Sequence, residues 1–164
     1  MTRKTVIFDI DGTLANNDHR RKYLEGDKPD WGSYNHPDNM IQDLPNMPVL
    51  NLLVALMEAT DILTNEPKYR IIFVTGRMES SRWITMKWIL DNMPIVRNGA
   101  AKVEKILMRK EGDYRADHIV KEEILKQLLD DGHDIAFTVD DRKQVVDMWR
   151  RNNITCLQVA EGNF

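Results

Sequence analysis

Two carboxylates, Asp9 and Asp11, come directly after the first apolar run of the sequence, residues 5–8. Residues i and i+2 of an extended chain point to the same side, so both side chains are expected to converge on one small volume. Their mutual repulsion must be relieved there by a cation or by a proton on one of them. The spacing therefore indicates a site that binds a metal ion or transfers a proton.

Further polar groups follow two later apolar runs. Thr75, Gly76 and Arg77 follow residues 70–74, and Asp140 with Asp141 follows residues 135–139. Ligands of open α/β sheets bind at the carboxyl ends of the strands, so one crevice should gather all of these groups. Carboxylate oxygens without a cluster of Cys or His favour a hard cation, and Mg²⁺ is the expected ion.

The dipeptide Asp11-Gly12 is also common in turns, which is the structural alternative to a site. A calcium loop of the EF-hand type needs acidic residues at its first, third and fifth positions and glycine at its sixth. Counted from Asp9, Gly12 stands fourth and Thr13 fifth, which excludes that loop. The polar residues after the other two strands favour the functional interpretation.

Strands alternate with helices along the sequence, which predicts an α/β fold: a parallel sheet with helices on both faces. Strands are expected at 5–8, 70–74, 105–108, 135–139 and 155–159, and helices at 50–59, 80–92, 117–129 and 143–151. We expect Asp117 to cap the N-terminus of the third helix, with Gly132 just past its C-terminal end.

Residues 15–48 interrupt this alternation. They are polar and include four of the six prolines together with Tyr23, Trp31 and Tyr34. The stretch is too long for a routine connection and is expected to be an irregular excursion of short helices and loops. Its aromatic residues are expected to form a small core, the alternative being a stack on a terminal base.

The length of 164 residues suits one domain with a full core, and we expect a single domain over residues 1–164. The formal net charge of −3 excludes a protein that coats long duplex DNA by charge alone, but it permits contact with a nucleic-acid end. The single cysteine excludes an internal disulfide, and no apolar run is long enough for a membrane span. A cytoplasmic protein is expected.

The same residues resemble the four motifs of the haloacid dehalogenase (HAD) superfamily of phosphotransferases. Residues 9–14 (DIDGTL) are similar to the first motif and residues 75–77 (TGR) to the second, while Lys121 matches the third and residues 139–142 (VDDR) the fourth. The resemblance implies a HAD-type Rossmannoid sheet. It also makes the excursion at 15–48 a small cap between the first and second motifs.

A closer likeness is to the 3′-phosphatase domain of phage polynucleotide kinase-phosphatases. It includes residues 111–124, 140–151 and 156–164, whereas residues 22–48 resemble that family poorly. The kinase of those bifunctional proteins has a P-loop, GxxxxGK[ST], and this motif does not occur in the sequence, so no kinase activity is expected of these residues. For a protein of phage origin the likeness implies the host cytoplasm.

The resemblance implies a chemical role for each acidic residue. Asp9 would be the nucleophile that forms an aspartyl-phosphate, and Asp11 the general acid and base. Mg²⁺ would be held by Asp9, by the backbone carbonyl of Asp11 and by Asp140. Asp141 would bind the ion through water or support the residues that hold it.

The other motif residues would hold the phosphoryl group. Thr75 would offer its hydroxyl, Gly76 its N–H and Lys121 a positive charge, unless Lys121 is an ordinary exposed helix lysine. Asp117 lies one helical turn before Lys121 and would orient its ammonium group.

Two arginines, Arg20 and Arg77, are candidate substrate contacts, because a planar guanidinium can bind phosphate through two hydrogen bonds. For Arg20, which lies in a basic run, a solvated turn is an equally good interpretation.

These expectations predict a Mg²⁺-dependent phosphomonoesterase that removes a 3′-phosphate from DNA or RNA ends. The alternative is a HAD-type phosphatase of free (deoxy)nucleoside monophosphates. An open crevice would admit a polymer end, whereas a lid formed by residues 22–48 would admit only a small molecule. A degenerate domain that only binds is disfavoured, because the acidic and basic residues of all four motifs are present. The sequence makes no prediction of oligomeric state.

Overall fold

The structure is a computed structural model that describes residues 3–162. In chain order the strands are β1 (Lys4–Phe8), β2 (Ala15–Asn16), β3 (Leu44–Pro45), β4 (Tyr69–Met78), β5 (Val103–Arg109), β6 (Ile135–Arg142) and β7 (Cys156–Gly162). The helices are α1 (Asp18–Arg21), α2 (Trp31–Tyr34), α3 (Pro37–Met40), α4 (Met47–Glu58), α5 (Arg82–Asn92), α6 (Pro94–Arg97), α7 (Asp117–Asp130) and α8 (Lys143–Arg151). Short 3₁₀ turns occupy Lys22–Leu24 and Glu79–Ser81.

The apolar strand β1 is the centre of a five-stranded sheet with the order β5-β4-β1-β6-β7. All of its strand pairs are parallel. Val6, Ile7 and Phe8 are fully buried, as expected for a strand with helices on both faces. The predicted α/β architecture is confirmed.

Helices cover the two faces of the sheet with separate apolar cores. Val6 and Phe8 point into one core, which α4 and α5 complete, and Ile7 points into the other, which α7 and α8 complete. This alternation follows from the two-residue period of a strand. The sheet is thereby fixed on both sides, and its carboxyl edge becomes a firm base for a site. No helix of residues 3–162 has the length and apolarity that a membrane crossing requires.

The excursion at residues 15–48 is closed at its base by β2 and β3, which pair antiparallel. Between them lie α1, α2, α3 and the turn at Lys22–Leu24, so the irregular structure predicted for this stretch is confirmed. The expectation of an aromatic core is right for Tyr34, which is buried, but wrong for Trp31, which is 53% exposed. Trp31 meets the Tyr34 ring edge to face with centroids 5.7 Å apart.

Some predicted boundaries differ from those of the structure. Asp117 is the first residue of α7, and Ala116 occupies the N-cap position, so the predicted cap is wrong. The extended chain of β4 and β6 continues through the polar motif residues that were expected to follow it. Residues 163 and 164, at the end of the family-like stretch 156–164, lie outside the described residues.

Candidate active site

The carboxyl ends of β1 and β6 bring three carboxylates together. Asp9 directly follows β1, and its N–H donates to the carbonyl of Val139 in β6 at 2.9 Å. Asp140 and Asp141 come next in β6, where its pairing with β7 shifts register. Oxygens of Asp9, Asp140 and Asp141 lie within 4.8 Å of one another, and all three side chains are buried. The predicted gathering of these groups at one sheet edge is present.

Lys121 of α7 neutralises part of this negative charge. Its Nζ donates to Asp9 Oδ1 at 2.7 Å and to Asp140 Oδ2 at 3.0 Å, and it lies 3.5 Å from Asp117 Oδ2. The side chain is 1% exposed, so the interpretation of an ordinary surface lysine is wrong. Burial alone would lower the pKa of Lys121, but the carboxylates around it raise that pKa well above its usual value. Lys121 is therefore a fixed cation of the site.

The surroundings of the Asp9 carboxyl group disfavour its charged form, in contrast to those of Lys121. Burial raises its pKa well above the ordinary value, and the charges of Asp140 and Asp141 act in the same direction. Lys121 lowers the pKa but does not offset these effects. A cation added to the cluster would therefore favour the ionised form that a nucleophile needs.

Asp141 provides the test of whether a metal ion fits. Its Oδ1 accepts a hydrogen bond from Thr13 Oγ1 at 3.3 Å, whereas its buried Oδ2 has no hydrogen-bond partner among residues 3–162. Burial and the neighbouring Asp140 raise its pKa to about 6. Gly12, at a φ of +82°, leaves room for this carboxylate, because a Cβ there would overlap it. An unsatisfied buried oxygen beside two further carboxylates fits a hard cation such as Mg²⁺.

The Asp11 carboxylate is not part of the cluster that Asp9 forms with Asp140 and Asp141. The chain leaves the extended conformation after β1, and the N–H groups of Thr13 and Ala15 both turn back to the carbonyl of Ile10. The Asp11 carboxylate consequently faces two arginines rather than the metal-type cluster. The turn that Asp11-Gly12 indicated is therefore present.

Arg20 and Arg77 bind the Asp11 carboxylate together. Arg77 donates to it through Nε and Nη2, each at 2.8 Å, and Arg20 donates through Nη2. Burial would raise the pKa of Asp11, but the two guanidinium groups hold that pKa well below its usual range. Arg20 is fully buried, and its guanidinium lies 4.3 Å from the centre of the Tyr34 ring, so the solvated turn is wrong.

The second motif lies within β4, where the pairing with β5 shifts register between Thr75 and Met78. Such irregularities redirect side chains and are frequent beside active sites. Thr75 is fully buried, and its Oγ1 accepts the Arg77 N–H at 3.2 Å, which leaves the hydroxyl proton available for another acceptor. A Cβ on Gly76 would overlap the Asp117 carboxylate, so glycine allows Asp117 to pack directly against this strand.

Comparison with known proteins decides the family. The family model described as polynucleotide kinase PNKP phosphatase domain matches residues 3–164. The chain belongs to this family. It is a phosphatase of the HAD type, as the motifs predicted.

Similarity to solved structures agrees with the assignment of this chain to the PNKP-type phosphatases. Over 99% of its length the chain is 31% identical to a protein of the Pnkp1/Rnl/Hen1 RNA repair complex, and the TM-score is 0.72. The phosphatase spans only 44% of that longer protein. The similarity to a second structure of this complex is nearly the same, at 31% identity and a TM-score of 0.70, with 98% of this chain and 47% of that one covered.

A more distant match shows the fold alone. A haloacid dehalogenase-like hydrolase from Streptococcus pneumoniae is 16% identical, with a TM-score of 0.61, over 95% of this chain and 84% of that one.

Asp43 is a site residue of the phosphatase that the sequence analysis missed. Its carboxylate accepts hydrogen bonds from Arg20 Nε and Nη2, both at 2.7 Å, and from Arg77 Nη2 at 2.9 Å. Its backbone carbonyl accepts the indole N–H of Trp88 at 2.7 Å, which ties the excursion to α5. Nothing in the residues around Asp43 marks it. The only signal for a second carboxylate would be the burial of Arg20 and Arg77, because two buried arginines require two carboxylates. That burial depends on the fold and is not visible in the sequence.

Replacing Asp43 with alanine is expected to lower the free energy of unfolding by roughly 3–5 kcal/mol, because two buried guanidinium groups would share one carboxylate. The measurement is urea denaturation of the variant and the wild-type phosphatase. Asp91→Ala is the matched control, since Asp91 pairs with Lys87 on the exposed surface of α5 at 2.7 Å. In Asp91→Ala the free energy of unfolding should fall by less than about 0.5 kcal/mol, because an exposed ion pair contributes little. Equal losses in the two variants would show that the buried network contributes nothing special.

Proposed function

We propose that this PNKP-type phosphatase removes the 3′-phosphate from the ends of DNA or RNA strands. The observation that supports it most is the buried Asp9, held by Lys121 at 2.7 Å within a cluster of carboxylates that fits a divalent cation. Family membership adds the substrate class, and the RNA repair complex of the similar structures agrees with a nucleic-acid end. Residues 1–164 would act as one domain, with residues 15–48 as its cap.

Asp9 would attack the phosphorus atom of the 3′-phosphate. The bond from phosphorus to the 3′ oxygen breaks as the bond from Asp9 forms, which gives an aspartyl-phosphate and a 3′-hydroxyl end. Water then attacks the phosphorus, inorganic phosphate leaves and the Asp9 carboxylate is regenerated. Because Lys121 bonds Oδ1 of Asp9, we assign the attack to Oδ2.

Asp11 would donate a proton to the departing 3′ oxygen and then accept one from the attacking water. In the structure Arg20 and Arg77 keep its carboxylate ionised, and an ionised carboxylate cannot act as an acid. A phosphate dianion competes for the same two guanidinium groups. As they turn to the phosphate, the pKa of Asp11 rises and the carboxyl group can take up the proton it must donate.

Asp9 and Asp140 would hold Mg²⁺ together with the backbone carbonyl of Asp11, and Asp141 would complete or support this set. When bound, Mg²⁺ supplies positive charge that offsets the repulsion between the carboxylate and the phosphate. Thr75, Gly76 and Lys121 would bind the phosphate oxygens, with the Thr75 hydroxyl proton and the Lys121 ammonium as donors.

A comparison of substrates tests this function. Phosphate release in the presence of Mg²⁺ is measured with a 3′-phosphorylated oligonucleotide, its 5′-phosphorylated counterpart, and free 3′- and 5′-mononucleotides. The expected kcat/KM is at least about tenfold higher for the 3′-phosphorylated oligonucleotide, since one additional base contact contributes roughly 1–3 kcal/mol. Equal or faster turnover of the mononucleotides would instead show a nucleotidase, with residues 22–48 closing over a small substrate.

A further inference from the structure

Arg109, the last residue of β5, is a buried cation for which the proposed chemistry has no role. Its side chain is 10% exposed. Nε donates to the Gly76 carbonyl at 2.9 Å, and Nη1 donates to the carbonyls of Asp113 and Arg115 at 3.1 and 2.6 Å. Nη2 donates to Asp117 Oδ1 at 3.1 Å. These contacts use four of the five N–H groups of the guanidinium, which excludes a two-bond grip on phosphate.

One of these bonds fixes the peptide that joins Gly76 to Arg77. In a trans peptide the carbonyl and the following N–H point in opposite directions. With the Gly76 carbonyl held by Arg109, the Arg77 N–H is directed to the other side, where it donates to Thr75 Oγ1 at 3.2 Å. The orientation of the Thr75 hydroxyl group therefore depends on Arg109.

A second bond leads to Lys121. Asp117 offers Oδ1 to Arg109, and its Oδ2 lies 3.5 Å from Lys121 Nζ. Asp117 also packs directly against Gly76, with no room for a side chain between them. Arg109 thus holds the Asp117 carboxylate, which in turn lies beside the ammonium group of Lys121.

We infer that Arg109 is a positioning residue that sets both Thr75 and Lys121, two of the three groups assigned to the phosphate oxygens. The inference rests on the proposed function for those two roles. A single guanidinium keeps the second-motif strand, the start of α7 and the loop at residues 110–116 in one arrangement. A misplacement of about 1 Å at a reacting group can cost roughly 10²-fold in rate.

Arg109→Lys keeps the positive charge but cannot form the same set of hydrogen bonds, because an ammonium group has no planar fork. The expected result is a kcat about 100-fold lower on the 3′-phosphorylated oligonucleotide, with a much smaller change in KM. Arg109→Gln, which removes the charge, should lower kcat at least as far. Thermal midpoints show how much of each variant is folded at the assay temperature.

The matched control is Arg82→Lys. Arg82 also donates to a backbone carbonyl of β5, that of Ile106 at 3.1 Å, but within residues 3–162 its other hydrogen bonds go to Glu79 and not to a motif residue. Its kcat should change by less than about twofold. An equal loss in Arg82→Lys and Arg109→Lys would overturn the inference.

Coupling to Thr75→Val separates positioning from a structural role. If Arg109 acts through Thr75, Arg109→Lys should cost less than about tenfold in the Thr75→Val background, because interactions in one network are not additive. Fully additive losses would overturn the inference, as would unfolding of both Arg109 variants. A wild-type phosphatase that is inactive on the oligonucleotide but active on an aryl phosphate would contradict only the proposed function, since Arg109 is then tested on the aryl phosphate.

Discussion

Replacing Asp9 with asparagine is expected to reduce the rate of phosphate release about 10⁶-fold, which is the loss expected when a covalent nucleophile is removed. The amide cannot form the aspartyl-phosphate, while its size and its hydrogen bond to Lys121 are retained. The measurement is phosphate release from the 3′-phosphorylated oligonucleotide. Turnover within about tenfold of the wild type would remove Asp9 from the role of nucleophile.

Asp9→Asn should not destabilise the fold. The raised pKa of Asp9 shows that the neutral carboxyl is the form that its buried surroundings favour, and asparagine is neutral. Lys121 also keeps Asp140 as a partner at 3.0 Å. The thermal midpoint of the metal-free variant is therefore expected to equal or exceed that of the wild type. Asp134→Asn, at the opposite end of β6, is the control and should leave both activity and stability nearly unchanged.

Removal of Mg²⁺ with a chelator is expected to abolish activity, and Mg²⁺ should return it. The ion should also stabilise the fold, by about 2.7 kcal/mol when its concentration is 100 times the dissociation constant. The measurement is the thermal midpoint with and without Mg²⁺ at pH 7.5 and at pH 5.5. Full activity after chelation would contradict the proposed cofactor.

The pH dependence of this effect follows from Asp141, whose pKa of about 6 lies above its ordinary value of 3.8. The folded chain binds this proton more tightly than the unfolded chain, so the free carboxylate lowers stability as pH rises from about 4 to about 6. Mg²⁺ favours the ionised form, and protonation weakens its binding below about pH 6. Asp141→Asn should therefore raise the metal-free midpoint at pH 7.5 and reduce the response to Mg²⁺. A wild-type response that is the same at both pH values would contradict this assignment.

The sheet was predictable because its signals are local. Strands β1, β4 and β6 contain apolar runs rich in β-branched and aromatic residues, and the polar residues at their ends indicated the edge where a site would form. Lys121 could be assigned from the family motif, and its pairing with Asp117 from helical spacing. These features depend on neighbours that are close in sequence or on patterns that the fold repeats.

The arginine contacts of the site were not predictable in this way. Arg20 lies in a basic run that is typical of a solvated surface, yet it is buried because Asp43 and Asp11 come to it from other segments. Arg109 shows no pattern in the sequence at all, since three of its four hydrogen bonds go to backbone carbonyls. A backbone carbonyl is present at every residue, so a sequence contains no record of which one an arginine will meet.

The central place of β1 in the sheet has a consequence for the synthesis of the protein. Among the strands of this sheet, β1 is synthesised before its two neighbours, which begin only at Tyr69 and at Ile135. One edge of this apolar strand therefore stays unpaired until β6 has left the ribosome. Such long-range parallel pairing is slow, and it leaves a hydrophobic edge open to other nascent chains. Asp9 meets Asp140 only after β6 pairs, so a partly made chain is exposed to aggregation before it has any activity.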